Sequence, residues 1–86
     1  MNIYVGNLDY EVSEKKLEGI FEEYGAVSSV NIIFDKYSGR SKGFGFVTIE
    51  DKTEANNAIE KLNGTTLNDR SIVVNEARPK KNSFNN

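Results

Sequence analysis

The chain has 86 residues, enough for one small domain with a thin hydrophobic core and not for two domains. It contains no cysteine and no histidine, which excludes disulfide bonds, thiolate nucleophiles and the commonest zinc ligands and general bases. The formal net charge is −2 and the pI is about 5.1, so net charge alone disfavours a nucleic-acid binder.

Residues 3–8, IYVGNL, predict the first strand, because β-branched and aromatic residues are followed by the turn formers Gly6 and Asn7. Ser13 then stands where its side chain can cap a helix. The apolar residues after it recur at the i, i+3, i+4, i+7 spacing of one buried helical stripe. They are Leu17, Ile20, Phe21 and Tyr24. Gly25 stands where the C-terminal glycine of this helix is expected.

Two further strands, joined by an exposed loop, are predicted next. Val27–Phe34 forms the second strand, with Val30 and Ile32 facing inward, and residues 35–41 are turn formers and charges that predict the loop. Residues 42–49, KGFGFVTI, form the third strand, in which alternate side chains point to opposite faces. The face that meets the core carries Gly43, Gly45, Val47 and Ile49. The opposite face carries Lys42, Phe44, Phe46 and Thr48.

The second half of the chain predicts one more helix and one more strand. Asp51 is placed to cap the helix, and Glu54, three residues later, is placed to complete a capping box. Gly64 ends this helix, whose apolar stripe repeats the earlier spacing with Ala55, Ala58, Ile59 and Leu62. Residues 68–70 predict a turn and residues 71–77 the last strand. The inward residues of that strand are Ile72 and Val74.

The predicted order is strand–helix–strand, twice, with each helix amphipathic on one side only. Two such helices cover one face of a four-stranded sheet and leave the other face bare. Phe44 and Phe46 lie on the bare face beside Lys42. Exposed apolar surface of this kind usually marks the binding site of a partner.

The charges are segregated along the sequence. Six acidic residues and only two lysines stand between Asp9 and Tyr24, whereas residues 36–42 contain three basic residues and no acid. From Ala77 to the end there are again three basic residues and no acid. Each charge taken singly is explained as ordinary solvated surface. The separation of acidic from basic segments across the whole sequence is harder to explain in that way.

These motifs resemble the RNA-recognition motif family. KGFGFVTI is similar to the eight-residue signature of that family, and IYVGNL to its six-residue signature on the first strand. The likeness extends from Ile3 to about Pro79 and is greatest toward the small single-domain RNA-binding proteins of bacteria and cyanobacteria. The chain departs from the family at Ile49, where an aromatic residue is usual, and in a tail that lacks a glycine-rich extension. Since Ile49 faces inward, this departure should affect packing and not ligand contact.

The resemblance implies an α+β fold, a ferredoxin-like βαββαβ sandwich with a four-stranded antiparallel sheet and two helices on one face. Residues 1–79 would form the domain, and residues 80–86 a short basic and polar tail that we expect to be flexible. The first and third strands would be the central pair of the sheet, which brings Tyr4 beside Phe44 and Phe46. No cofactor and no metal are expected.

The resemblance also implies roles in RNA binding. Tyr4 and Phe46 would each stack on an unpaired base, and Phe44 would pack against the sugars between them. Lys42 would contact phosphate, residues 75–78 would contact base edges, and the second strand would extend this platform outward. The full predicted RNA-binding set is Tyr4, Asn7, Asn31, Ile33, Arg40, Lys42, Phe44, Phe46, Asn75, Ala77, Arg78 and Lys80.

Three functions are candidates for this sequence. The first is a non-catalytic module that binds single-stranded RNA, with single-stranded DNA as a weaker ligand. The second is a protein-interaction module on the same fold, which loss of the platform aromatics would favour; all three are present. The third is a small hydrolase of the acylphosphatase type, which needs an arginine in a phosphate-cradling loop. Residues 6–13, GNLDYEVS, have two acids and no base, so the hydrolase is set aside.

Some residues also have a purely structural or nonspecific interpretation. The C-terminal tail could fold over the sheet, with Phe84 covering the aromatic rings. For Asn75 a binding role and no role are equally favoured, because many exposed strand residues do nothing. For Arg40, Lys80 and Lys81, nonspecific attraction to phosphate is favoured over base recognition.

The expected location of the protein is argued from two sequence features that were looked for at its start and along its apolar runs, a secretory leader and a membrane-spanning segment. The strand pattern begins at Ile3, so no secretory leader is expected, and no apolar run approaches the roughly 20 residues of a membrane-spanning helix. We therefore expect a cytoplasmic monomer without membrane contact. The resemblance implies a part in post-transcriptional regulation or RNA remodelling.

Overall fold

A computed structural model describes residues 1–77 of the protein. The predicted tail, and with it Arg78, Lys80, Lys81 and Phe84, lies outside the described residues. The elements are β1 (Asn2–Gly6), α1 (Glu14–Glu22), β2 (Val27–Phe34), β3 (Ser41–Ile49), α2 (Lys52–Leu62), β4 (Thr66–Leu67), β5 (Arg70–Ser71) and β6 (Val73–Glu76).

The main sheet has four strands in the order β2-β3-β1-β6, and each neighbouring pair is antiparallel. β1 and β3 are therefore the central strands, as the resemblance implies. The buried side chains of α1 and α2 join those of the sheet in one hydrophobic cluster. The predicted α+β, ferredoxin-like fold with two helices and a four-stranded antiparallel sheet is confirmed.

The hydrophobic core lies between the helices and one face of the sheet. Phe21 of α1 is its largest side chain and is fully buried. The apolar side chains predicted to face inward are all in the core or packed against it, with Ile20, Tyr24, Val30 and Ile59 half-buried at its margin. Ile49 is fully buried, which confirms that its departure from the family pattern concerns packing. The core also takes in Leu8 and Val12 of the β1–α1 connection, which the sequence patterns did not indicate.

Both predicted helix caps are confirmed. The Ser13 hydroxyl accepts a hydrogen bond of 3.0 Å from the Lys16 N–H, and the Asp51 carboxylate accepts one of 3.0 Å from the Glu54 N–H. Each bond satisfies one of the donors that the first helical turn leaves without a helical partner.

The predicted capping box is wrong, whereas Gly25 lies just after the end of α1 as predicted. Glu54 does not reach back to complete a capping box; its carboxylate accepts a hydrogen bond of 3.1 Å from the Ala26 N–H, just before β2. Gly25 does not have the positive φ of a C-terminal helix glycine, unlike Gly64 with φ 85°. A Cβ atom at Gly25 would lie 2.7 Å from the Cβ of Glu54, so glycine allows α2 to approach here.

The start of β3 is irregular. Gly43 has φ 86°, a value that favours glycine, and its carbonyl accepts a hydrogen bond of 2.8 Å from the Leu8 N–H. Ile32 pairs with Gly45 and Phe34 with Ser41, so residues 42–44 stand opposite Ile33 alone. The strict alternation predicted for residues 42–49 therefore holds only from Phe44 onward.

A small hairpin replaces part of the predicted last strand. Asn68 and Asp69 connect β4 to β5 and have φ 51° and 67°, the positive values that a tight two-residue hairpin requires. The predicted turn is confirmed, and β6 is shorter than predicted, at Val73–Glu76.

Within residues 1–77 no helix is long and apolar enough to cross a membrane, and no acidic cluster suits a metal ion.

Gly45 supports a prediction about sheet packing. A Cβ atom there would lie 2.6 Å from the carbonyl oxygen of Asn31 and 2.9 Å from the Cα of Ile32, both backbone atoms of β2. The strands would have to separate to admit it. We therefore expect Gly45→Ala to lower the free energy of unfolding by about 1–3 kcal/mol, measured by chemical denaturation.

Gly19→Ala is the matched control. Gly19 lies in α1, and apart from its own chain neighbours and helix backbone no atom stands within 4 Å of the place that its Cβ would occupy. This substitution should raise the free energy of unfolding by up to about 1 kcal/mol, because glycine is a poor helix former. If Gly45→Ala had the same free energy of unfolding as the original protein, the close approach of β2 to β3 at Gly45 would be contradicted.

Candidate nucleic-acid interface

A row of four side chains crosses the sheet on the face away from the helices. Asn31 of β2 pairs with Phe46 of β3, Phe46 with Tyr4 of β1, and Tyr4 with Asn75 of β6. Residues that stand directly opposite each other in neighbouring strands lie on the same face. The two central strands therefore present aromatic rings, and each edge strand presents an exposed asparagine.

Tyr4, Phe44 and Phe46, here called the aromatic platform, form one cluster. Their ring centroids are 6.0, 6.0 and 6.2 Å apart, and the Phe44 and Phe46 rings meet edge to face at 89°. Such edge-on arrangements are favourable contacts between aromatic rings. Each platform side chain is half-buried, so the rings are less exposed than the sequence pattern alone predicts.

Gly6 makes room for the Tyr4 ring. A Cβ atom at Gly6 would lie 2.8 Å from both Cε2 and Cζ of Tyr4, so the ring lies along β1 over the glycine. Immediately afterwards Asn7 takes φ 56° and turns the chain out of the strand. The glycine and asparagine of IYVGNL thus have distinct tasks, one beneath the ring and one at the turn.

A shallow groove continues the binding face beside Phe46, toward the start of β1. Its polar lining includes Asn2, Ser29 and Thr48. The Thr48 hydroxyl donates a hydrogen bond of 2.8 Å to the side-chain oxygen of Asn2, which orients that amide. Asn2 and Ser29 were not in the predicted set, although the alternation that places Tyr4 and Asn31 on this face indicates them as well.

Asn7 is the predicted site residue whose side chain makes hydrogen bonds to another element of the protein. Its side-chain nitrogen donates a hydrogen bond of 2.7 Å to the Ser71 carbonyl, and its side-chain oxygen accepts one of 2.7 Å from the Arg70 guanidinium. These bonds fasten the β4–β5 hairpin to the end of β1. The Asn7 side chain is therefore exposed but already hydrogen-bonded to Arg70 and Ser71.

The remaining predicted residues within the described part of the chain lie on or just after the edge strands, at the start of β3 and in the loop before it. Asn75 is exposed on β6, and Ala77 is half-buried and donates a backbone hydrogen bond of 2.9 Å to the Asn2 carbonyl. Ile33 is half-buried on β2. Lys42 is exposed at the start of β3, and Arg40 is exposed in the loop before that strand. Arg78 and Lys80 lie outside the described residues.

The β2–β3 loop, residues 35–40, holds its one acid in local hydrogen bonds. The Asp35 carboxylate accepts a hydrogen bond of 2.9 Å from the Ser38 hydroxyl. This bond, together with the Tyr37 N–H and the charge of Lys42, lowers the pKa of Asp35 below its ordinary value. The other charged residues of this loop are Lys36 and Arg40, both exposed, so the loop and Lys42 present mainly positive charge beside the platform.

Comparison with known proteins connects this surface to a family. The profile of the RNA recognition motif family matches residues 3–73. RbpA of Synechocystis sp. is 48% identical over 82 residues, which are 95% of this chain and 81% of that protein. The crystal structure of the RNA-binding protein PG1 superposes with a TM-score of 0.88 at 50% identity, covering 93% of this chain and 99% of that one.

A solved complex of the Sex-lethal protein with RNA also has this fold, with a TM-score of 0.88 at 28% identity over 98% of this chain and 50% of that one. The chain spans only 30% of the length of a 28 kDa chloroplast ribonucleoprotein of Nicotiana sylvestris, to which it is 46% identical. The family match covers most of the chain and includes β1, β3 and the platform. The chain belongs to the RNA recognition motif family.

Proposed function

We propose that this protein binds single-stranded RNA on the helix-free face of its sheet and acts as a binding module without catalysis. The observation that supports this most directly is the aromatic platform, three rings about 6 Å apart on the two central strands. Aromatic rings on an open sheet stack on unpaired bases, and every base has a flat face that can take part in such a stack. PG1 is described as RNA-binding, and Sex-lethal has been solved with RNA.

Each part of the face then has a role. Tyr4 and Phe46 stack on successive bases, and Phe44 packs against the sugars between them. Asn31 and Asn75, at the two ends of the row, contact base edges. Lys42, exposed at the start of β3, contacts a phosphate, since its ammonium group sits on a flexible stem. Single-stranded DNA would bind more weakly.

The working form that we propose is a monomer in post-transcriptional regulation or RNA remodelling. One domain with one platform contacts few nucleotides, because the aromatic residues of this fold stack only two or three bases. Loose sequence preference is the expected consequence. That preference suits a protein that acts on many transcripts.

Replacing the two phenylalanines tests the platform. We expect Phe44→Ala combined with Phe46→Ala to weaken RNA binding by at least about 1–3 kcal/mol, the value of the base–aromatic stack on Phe46, and by more because the Phe44 contact with the sugars is also lost. The dissociation constant can be measured by fluorescence anisotropy with a short single strand. The double variant should remain folded, because both rings lie outside the core.

Two control variants separate binding from stability. Phe21→Ala removes a fully buried ring and should lower the free energy of unfolding by about 3–5 kcal/mol, more than the platform variant does. Phe44→Leu with Phe46→Leu keeps apolar volume but removes the flat ring faces, so binding should still weaken. An unfolded platform variant, or a leucine variant that binds RNA fully, would contradict the stacking role.

The form of the RNA is a second test. Stacking needs bases that can be splayed out of a helix, whereas duplex RNA offers grooves and backbone. We expect a short single strand to bind at least about tenfold more tightly than the same sequence locked in a hairpin stem. Equal affinity for the two forms would contradict base stacking and would indicate that the protein binds RNA by attraction to its phosphates.

The salt dependence of binding is a third test, because it counts phosphate contacts. The candidate cations are Lys36, Arg40, Lys42 and, outside the described residues, Arg78, Lys80 and Lys81. Each phosphate neutralised on a single strand contributes a slope of about −0.7 to the logarithmic salt plot, so six contacts limit the slope to about −4. We expect about −1 to −3, because loop and tail cations rarely engage together. A much steeper slope would mean that charge, and not the platform, dominates the affinity.

A further inference from the structure

The outer strands of the four-stranded sheet are β2 and β6, and within residues 1–77 each has one side without a neighbouring strand in that sheet. Backbone N–H and C=O groups on such a side are available to a strand of another chain. In β6 this side is covered. The Val74 N–H donates a hydrogen bond of 2.9 Å to the side-chain oxygen of Asn63, and just before β6 the Ile72 carbonyl accepts one of 2.9 Å from the Gly64 N–H.

The outer side of β2, here called the β2 edge, belongs to a strand that is suited to pairing. β2 is eight residues long, and its sequence, VSSVNIIF, contains no charged residue, no proline and no glycine. β-Branched and aromatic residues favour extended backbone, and uncharged segments of this composition pair with copies of themselves. Charged side chains on an outer strand commonly prevent such pairing. β2 has none of its own.

The helices supply the charge that β2 lacks. Glu14, the first residue of α1, accepts a hydrogen bond of 2.9 Å from the Ile32 N–H through its Oε2 atom. Since N–H groups alternate in direction along a strand, the Val30 N–H points to the same side of β2 as the Ile32 N–H. Just before β2, the Ala26 N–H donates to the Glu54 carboxylate of α2 at 3.1 Å. A carboxylate therefore stands at each end of the stretch from residue 26 to residue 32.

A second strand can pair along the β2 edge only if the Glu14 carboxylate first leaves the Ile32 N–H. That hydrogen bond has an ionised acceptor, and such bonds are stronger than those between neutral groups. The Ile32 side chain is 2% exposed in the core, so the backbone of β2 is not free to turn its N–H elsewhere. In a symmetric antiparallel pair of β2 edges centred on Asn31, the two Glu14 carboxylates would also approach and repel each other.

We propose that the β2 edge is a pairing surface for a second copy of this chain, and that the Glu14 carboxylate keeps it closed. The partner is β2 of the other copy, because an uncharged, β-branched strand complements itself. The proposal goes beyond RNA binding and gives a physical cause for the proposed monomer. A copy paired on β2 would lie directly beside Asn31, so the closed edge also leaves that end of the row of four side chains accessible.

The test removes the carboxylate and measures self-association by analytical ultracentrifugation over a range of protein concentrations. We expect Glu14→Ala to form a dimer at concentrations where the original protein is a monomer, with a dissociation constant at least about tenfold lower. Glu22→Ala is the matched control, because it removes the same charge from an exposed position at the other end of α1. It should associate no more than the original protein does.

Hydrogen exchange of single backbone amides shows whether the dimer forms through β2. In dilute Glu14→Ala the Ile32 amide should exchange faster than in the original protein, because its acceptor has been removed. As the concentration of this variant rises, the Val30 and Ile32 amides should exchange more slowly. The Val74 amide, which is bonded to Asn63, should not change with concentration. A dimer that leaves the Val30 and Ile32 amides unprotected would overturn the proposal.

Glu14→Gln decides the question if the alanine variant does not fold. Glutamine keeps an acceptor oxygen for the Ile32 N–H but removes the charge, so we expect it to associate more than the original protein and less than Glu14→Ala. A folded Glu14→Ala that stays monomeric, or in its place a monomeric Glu14→Gln, would overturn the proposal.

Two further results would also overturn the closed edge. Glu22→Ala might associate as strongly as Glu14→Ala, in which case net charge and not the position of Glu14 would control pairing. The original protein might itself form a dimer with protected Val30 and Ile32 amides, which would contradict the proposed monomer as well. None of these results bears on RNA binding by the platform, which the anisotropy measurement tests separately.

Discussion

The pairing of β1 with β3 is the constraint on which both the core and the candidate binding face depend. In β1, Ile3 and Val5 point into the core, which forces Tyr4 between them onto the opposite face. In β3, buried Val47 has the same effect on Phe46. A slip of the register by one residue would expose the core side chains of a strand, so hydrophobic burial holds the register. The position of the platform rings is therefore secured largely by residues buried in the core.

Most of the fold could be predicted because its signals are local. Helix α1 and helix α2 follow from apolar spacing and from the caps Ser13 and Asp51, which act within one turn. The wrong details depend on contacts between distant parts of the chain. Glu54 binds the Ala26 N–H, 28 residues away, in preference to its own helix, and a local pattern cannot weigh that alternative. Gly25 follows α1 as predicted, but a local pattern does not show that its small size also allows Glu54 of α2 to approach.

The candidate site could be predicted only in part. Alternation placed Phe46 on the bare face, but its neighbours across the sheet follow from the strand order and register, which the family resemblance supplied. The bulge at Gly43 could not be anticipated from alternation, because it needs a positive φ and a partner in the β1–α1 connection. The hydrogen bonds that engage Asn7 depend on the β4–β5 hairpin, which was predicted only as a turn.

Base stacking on the platform can be observed by nuclear magnetic resonance of the aromatic side chains during titration with single-stranded RNA. If bases stack on the platform, the ring protons of Tyr4 and Phe46 will move upfield and show intermolecular contacts to base protons. The buried Phe21 ring, within the core, will stay almost unchanged. Unchanged platform rings, with the largest shifts on the outer surface of α1, would contradict the account.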